Sequence, residues 1–213
     1  MVVAKTDQGL EFRPRANSHR SGLIFLPGGM VEPVAYAPLL RRIASAGYPT
    51  YLIYLPMRGA CTDSQVRRLF SEIQRVLAHK RASHWILAGH SRGGMLAARF
   101  VHENSVDLAS LALIATTHPR DYSLAGINIP VTKIYGTRDG VASYAQMREN
   151  QRLLPQNTTW VKIEGGNHVQ FAYYRHQLGD GDAIISRQEQ QKLLENALLD
   201  ALSSPNQTRQ DPR

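Results

Sequence analysis

Two rhythms of apolar residues alternate along the chain. Residues 22–26 (GLIFL) form a continuous apolar run that stops at Pro27-Gly28-Gly29, as a buried strand does. Past Pro33, Tyr36, Leu39, Leu40 and Ile43 recur at helical spacing until Gly47 breaks the pattern. Residues 51–55 (YLIYL) read as a second strand, closed by Pro56. Val66, Leu69, Phe70, Ile73, Val76 and Leu77 then share one helical face, with Thr62 or Asp63 placed to cap it. Strands follow at 85–88, 108–115, 131–135 and 159–163, with a helix over 94–101 between the first two. Ser186-Arg187-Gln188-Glu189 has the form of a capping box, opening a last helix that contains Leu193, Leu194, Ala197, Leu198 and Ala201.

Apolar strands alternating with helices predict an α/β fold: a mostly parallel central sheet flanked by helices on both faces, in one domain over residues 1–202. The first 20 residues are expected to add an edge hairpin. The polar, proline-containing stretch 203–213 is expected to be a disordered tail.

Composition narrows the class. At 43% hydrophobic and 20% charged, the 213 residues can build a core, which excludes wholesale disorder. No uncharged apolar stretch approaches the ~18 residues of a membrane span. The N-terminal residues lack the apolar segment of a signal peptide, so the expected location is cytoplasmic. A single cysteine, Cys61, excludes an internal disulfide and a multi-cysteine zinc site; it is expected to be an unreactive packing residue. Lys+Arg 25 against Asp+Glu 17 gives a net charge of +8, which suits nucleic acid, an anionic surface or an acidic substrate. The basic residues are scattered, with doublets such as Arg41-Arg42 and no interleaved aromatic stripe, and this argues against nucleic acid.

Chemistry concentrates in Gly89-His90-Ser91-Arg92-Gly93, a G-x-S-x-G motif lying between a strand and a helix. A serine there sits on a tight turn with its hydroxyl clear of the sheet edge, and flanking glycines remove Cβ atoms that would collide. Helix N-terminal N–H groups beside it favour developing negative charge. The hydroxyl needs a base. His168, in Gly165-Gly166-Asn167-His168 just past the last strand, is the first candidate, and His118 is the rival; His90 should point away from its neighbour Ser91. Asp139, directly after the strand at 131–135, is placed to orient an imidazole at the same edge, with Asp121 second. The order Ser91, Asp139, His168 differs from the chymotrypsin and subtilisin orders. For the oxyanion, the N–H of Arg92 follows the nucleophile, and the loop Pro27-Gly28-Gly29-Met30 offers that of Gly29, with Met30 next.

These segments, LPGGMVEPVAYAPLLRRIASAGY, GHSRGG, YGTRDG and IEGGNHVQF, resemble the oxyanion loop, elbow, acid and base regions of α/β-hydrolases. The similarity is to the compact, lidless sort, the dienelactone hydrolases and small bacterial esterases, and it covers residues 22–202. Two departures stand out. Pro27 replaces the histidine that often opens the oxyanion loop, and Arg92 follows the serine where a small or apolar residue is commoner. The family inserts its caps where this chain has only residues 120–129, so the resemblance implies no cap domain and an open, shallow site.

The expected function is that of a serine hydrolase cleaving carboxylic esters or thioesters of small, accessible acyl substrates through an acyl-enzyme, without metal or organic cofactor. Arg58, Arg92, Arg120 and Arg138 fall at the predicted carboxyl edge; with two of them facing the cleft, the substrate would be anionic. Met30, Arg58, Arg120 and Arg138 are the candidate substrate contacts. The competing reading is a non-catalytic binding or scaffold protein that keeps the fold. Gly179-Asp180-Gly181-Asp182 lacks the spaced ligands of an EF-hand and reads as a plain turn. Oligomeric state is not encoded in any of these patterns.

Overall fold

The structure, a computed structural model, describes residues 1–15, 19–79 and 81–203. In chain order the elements are β1 (Val2–Thr6), β2 (Gly9–Arg13), β3 (Ser21–Leu26), α1 (Ala37–Ser45), β4 (Thr50–Ile53), α2 (Asp63–Leu77), β5 (His84–His90), α3 (Arg92–Glu103), β6 (Ser110–Ile114), β7 (Val131–Gly136), α4 (Tyr144–Glu149), β8 (Thr159–Ile163) and α5 (Arg187–Ser203). Ser203 ends α5 rather than opening a tail, and the expected disorder of 204–213 lies outside the described residues.

Eight strands form one sheet in the order β1-β2-β4-β3-β5-β6-β7-β8. From β4 to β8 every pairing is parallel; β1 and β2 pair antiparallel and join β4 antiparallel, making the edge hairpin. The alternation of side chains divides the core. Leu23 and Phe25 of β3 face α1 and α5 with Leu39, Leu40, Leu194 and Leu198. Ile24 and Leu26 face α2 and α3 with Leu69, Ile73, Leu96 and Phe100. Both faces are thus covered, as apolar parallel strands require.

Local sequence sets the helix starts. Thr62, not Asp63, caps α2 in a reciprocal box with Gln65. Ser186 accepts the amide of Glu189 (3.1 Å) at the start of α5. Ser143 and Gln146 make a second reciprocal box that starts α4, a six-residue helix too short for apolar periodicity to reveal. No cap domain interrupts the stretch between β6 and β7, which contains no helix. Among the described residues no helix is long and apolar enough to cross a membrane.

Candidate active site

β5 lies between β3 and β6, with Gly89 level with Leu26 and Leu113, so its carboxyl end opens at the middle of the sheet edge. Ser91 follows at φ 54° and ψ −117°, a left-handed φ that costs a non-glycine residue about 1–3 kcal/mol. Its N–H donates to Ile114 O (2.8 Å) and its carbonyl accepts from Met95 N–H (3.0 Å), so both ends of the turn are held. The glycines explain themselves by distance. A Cβ on Gly89 would lie 2.4 Å from the Gly93 carbonyl, and one on Gly93 2.3 Å from Leu26 O. No larger residue could bring strand and helix this close.

β7 and β8 deliver the next two residues to the same edge. Asp139 and His168 are buried, and His168 Nδ1 lies 2.8 Å from Asp139 Oδ2. A carboxylate only accepts, so Nδ1 carries the proton and Nε2 the lone pair. Asp139 Oδ1 accepts the N–H groups of Val141 (2.9 Å) and Ala142 (2.7 Å), which fixes the carboxylate plane. His168 Nε2 is buried without a hydrogen-bond partner; the Ser91–His168 bond is not made in the structure.

Asp180 makes contacts to the site loops that the sequence reading missed. The supposed plain turn places its carboxylate where the N–H groups of Gly140, His168, Val169 and Gly181 all donate to it, at 2.9–3.3 Å. One side chain therefore ties the Asp139 loop to the His168 loop. A G-D-G-D tetrapeptide carries no local sign of such long-range partners.

The glycine loop after β3 reaches α3 at Gly29, where a Cβ would lie 3.1 Å from Arg92 Cβ. The amide of Met30 donates to Arg58 O (2.8 Å), and that of Gly28 to Tyr36 Oη (2.8 Å). Met30 is therefore withdrawn as an oxyanion donor. Gly29 and Arg92 remain as neighbouring amides with no partner recorded among the described residues.

A pocket of about 270 Å³ opens at Ser91, lined among others by Met95, Thr116, Thr117, His118, Arg120 and Val141. Of the candidate substrate contacts only Arg120 lines it. Met30 stands 76% exposed outside it; Arg58 pairs with Glu32 (2.5 Å), and Arg138 donates to Asp182 O (3.2 Å). The Arg92 guanidinium bonds Gly59 O, Ala60 O and Met95 Sδ, pinning the loop after β4. The expectation of four arginines around the mouth thus reduces to two that line the pocket, Arg92 and Arg120, the latter with its Nε on Thr117 Oγ1 (2.7 Å).

His118, the rival base, also lines this pocket. Burial, then Arg120, Lys133 and Arg92, pull its pKa down to about 4, and no hydrogen bond to Asp121 orients it. Such a weak base suits proton abstraction near neutral pH poorly. Lys133 is buried in β7 with its Nζ on His118 O (2.7 Å), and burial lowers its pKa from 10.5 to about 7. Cys61 is exposed, which corrects the packing expectation: it follows the last turn before α2 and faces solvent. A larger groove of about 780 Å³, between the end of α3 and residues 126–130, lies at the opposite edge and has no charged lining residue.

Compared by sequence with curated proteins, the chain finds no match. Solved structures share its fold at low identity. Est2, a thermophilic esterase from Thermogutta terrifontis, aligns at TM-score 0.63 and 15% identity over 95% of this chain and 89% of its own. Est1E from Butyrivibrio proteoclasticus gives 0.65 and 12% over 95% and 99%. MGS-MChE2, an alpha/beta hydrolase enzyme from a sediment metagenome of the Mar Chica lagoon, Morocco, gives 0.69 and 14% over 94% and 99%. The family model of the alpha/beta hydrolases matches residues 22–192, which include the glycine loop, the Ser91 turn and the Asp139–His168 pair: the chain belongs to the alpha/beta hydrolase family.

Proposed function

We propose that the protein is a serine hydrolase acting on carboxylic esters or thioesters. The observation that carries this reading is the buried Asp139–His168 pair, whose free Nε2 lone pair sits at the same sheet edge as the strained Ser91. Ser91 Oγ, turned onto Nε2 about its Cα–Cβ bond, attacks the acyl carbon while its proton passes to His168. The tetrahedral oxygen takes the N–H groups of Gly29 and Arg92. His168 then returns the proton to the leaving oxygen or sulfur, and water, activated by the same imidazole, releases the acid from Ser91.

The acyl group enters the pocket lined by Thr116, Thr117 and Arg120, which admits short chains. Two arginines, Arg92 and Arg120, line that pocket, so an anionic acyl group is favoured over a neutral one. The absent Ser91–His168 bond favours a second reading, a binding protein that keeps the fold without turnover. One experiment separates them. Wild type should hydrolyse p-nitrophenyl acetate and take a fluorophosphonate label, and Ser91→Ala should lose both; an inert wild type with intact fold would establish the binding protein.

A further inference from the structure

Outside the triad, the most unusual cluster is a buried polar relay formed by residues far apart in the chain. Tyr36 ends the short 3-10 turn before α1 and is 1% exposed; His90 ends β5 and is fully buried. The Gly28 N–H donates to Tyr36 Oη (2.8 Å), and Tyr36 Oη lies 2.7 Å from His90 Nδ1. A phenol has one proton. The Gly28 amide takes one oxygen lone pair, and Nδ1 is the acceptor within hydrogen-bond reach of the buried hydroxyl, which assigns that proton to Nδ1. Burial holds the Tyr36 hydroxyl well above its ordinary range, while burial and the nearby His168 hold His90 well below the imidazole range. Both groups are therefore held neutral, as the relay needs. His90 then carries its proton on Nε2, which is buried without a hydrogen-bond partner. The two imidazole rings are 4.6 Å apart.

We propose that Tyr36 and His90 are positioning residues that lock the oxyanion loop and the base loop into one unit, an inference that rests on the serine-hydrolase reading. The relay begins one residue before Gly29 and ends against His168, so it spans the two groups that must be in place when charge develops at the acyl carbon. It also sets a distance. A Cβ on Gly28 would lie 2.9 Å from Tyr36 Oη and 3.1 Å from His90 Nδ1, so only glycine lets the loop settle on this pair. A neutral His90 matters as well, because a charged imidazole 4.6 Å from His168 would oppose the imidazolium that forms there during attack.

The test compares Tyr36→Phe, His90→Leu and His90→Asn, the last keeping an amide oxygen near the position of Nδ1. In Tyr36→Phe and His90→Leu, kcat on p-nitrophenyl acetate should fall about 10- to 100-fold, with KM within about twofold and slower fluorophosphonate labelling of Ser91. His90→Asn should recover most of the loss. Should Tyr36→Phe fail to fold, the Leu–Asn comparison at His90 still decides. Folded variants with wild-type kcat would overturn the proposal. Nitrogen-15 NMR of the wild type, which needs no substrate, should find the His90 proton on Nε2 and a slowly exchanging Gly28 amide. A proton on Nδ1 would overturn the relay itself. A wild type that neither turns over ester nor labels at Ser91 would bring down the hydrolase reading and the positioning role together, while the tautomer would still report whether the relay exists.

Discussion

On one side of Ser91, Tyr36–His90 and Asp139–His168 are two buried pairs held at 2.7 and 2.8 Å, their imidazoles 4.6 Å apart; on the other, the loop after β6 leaves His118 Nδ1 without a partner and holds Lys133 by one carbonyl. The first flank engages Nδ1 of each imidazole and leaves Nε2 of both buried without a hydrogen-bond partner, so each ring is oriented from one side. The second presents the positive charge of Arg92 and Arg120 at a pocket wall, beside the unpartnered Nδ1 of His118. A catalytic arrangement gains from the first condition, since its groups must not reorganise during reaction. A receiving surface gains from the second, since an incoming anion supplies the missing acceptors. The contrast divides the labour between making the attack and choosing what is attacked.

The largest effect should come from breaking the ordered flank at its centre. Asp139→Asn keeps the volume but turns an acceptor into an amide that can favour the wrong imidazole tautomer, so kcat should fall by ~10³-fold or more at unchanged KM. Stopped or steady-state ester hydrolysis measures it; a loss under tenfold would remove Asp139 from the triad.

Next in size is Asp180→Ala, which strips the acceptor from four backbone N–H groups of the two triad loops. The kcat should drop by ~10-fold, and thermal unfolding should fall by several degrees. Equal activity in the folded fraction would show that the cradle serves stability alone.

On the receiving flank, Arg120→Glu should raise KM for a monoester of a dicarboxylic acid by roughly tenfold, about 1.4 kcal/mol, and leave an acetate ester near wild type. Parallel changes for both substrates would remove anion selection.

The last effect is on stability, not on turnover, and depends on pH. Lys133 binds its proton less tightly when folded (about 7) than its ordinary 10.5, so between those values the unfolded chain holds more protons and stability rises with pH. Below pH 7 both states are charged and the cost of burying the cation is fully present. Lys133→Met should therefore gain ~1–3 kcal/mol over wild type at pH 6, with the advantage shrinking at pH 9. Urea titrations at the two pH values measure it; a pH-independent difference would place the charge of Lys133 outside the balance.

The two flanks also differ in how far they could be read from sequence. Ser91, Asp139 and His168 were legible as candidates because each follows a strand with strong apolar rhythm, and strand ends define one edge. Gly29 and Arg92 were legible for the same reason. Arg58 and Arg138 were misplaced because a residue number fixes an edge but not the direction of a long side chain, and Glu32 and Asp182 O claimed them. Tyr36 read as one more apolar helix position, its hydroxyl invisible to periodicity. Asp180 and His90 take their meaning from partners at positions 140, 168 and 36, which no local pattern brings together. α4 was missed because six residues span fewer than two turns.

The bare stretch between β6 and β7 has a kinetic consequence. On the serine-hydrolase reading, and with no helix between β6 and β7 to cover the site, bulk solvent would reach an acylated Ser91 as freely as any second alcohol would. Partitioning would then run toward the free acid, and transfer to another acceptor would require that acceptor to bind first and shut solvent out.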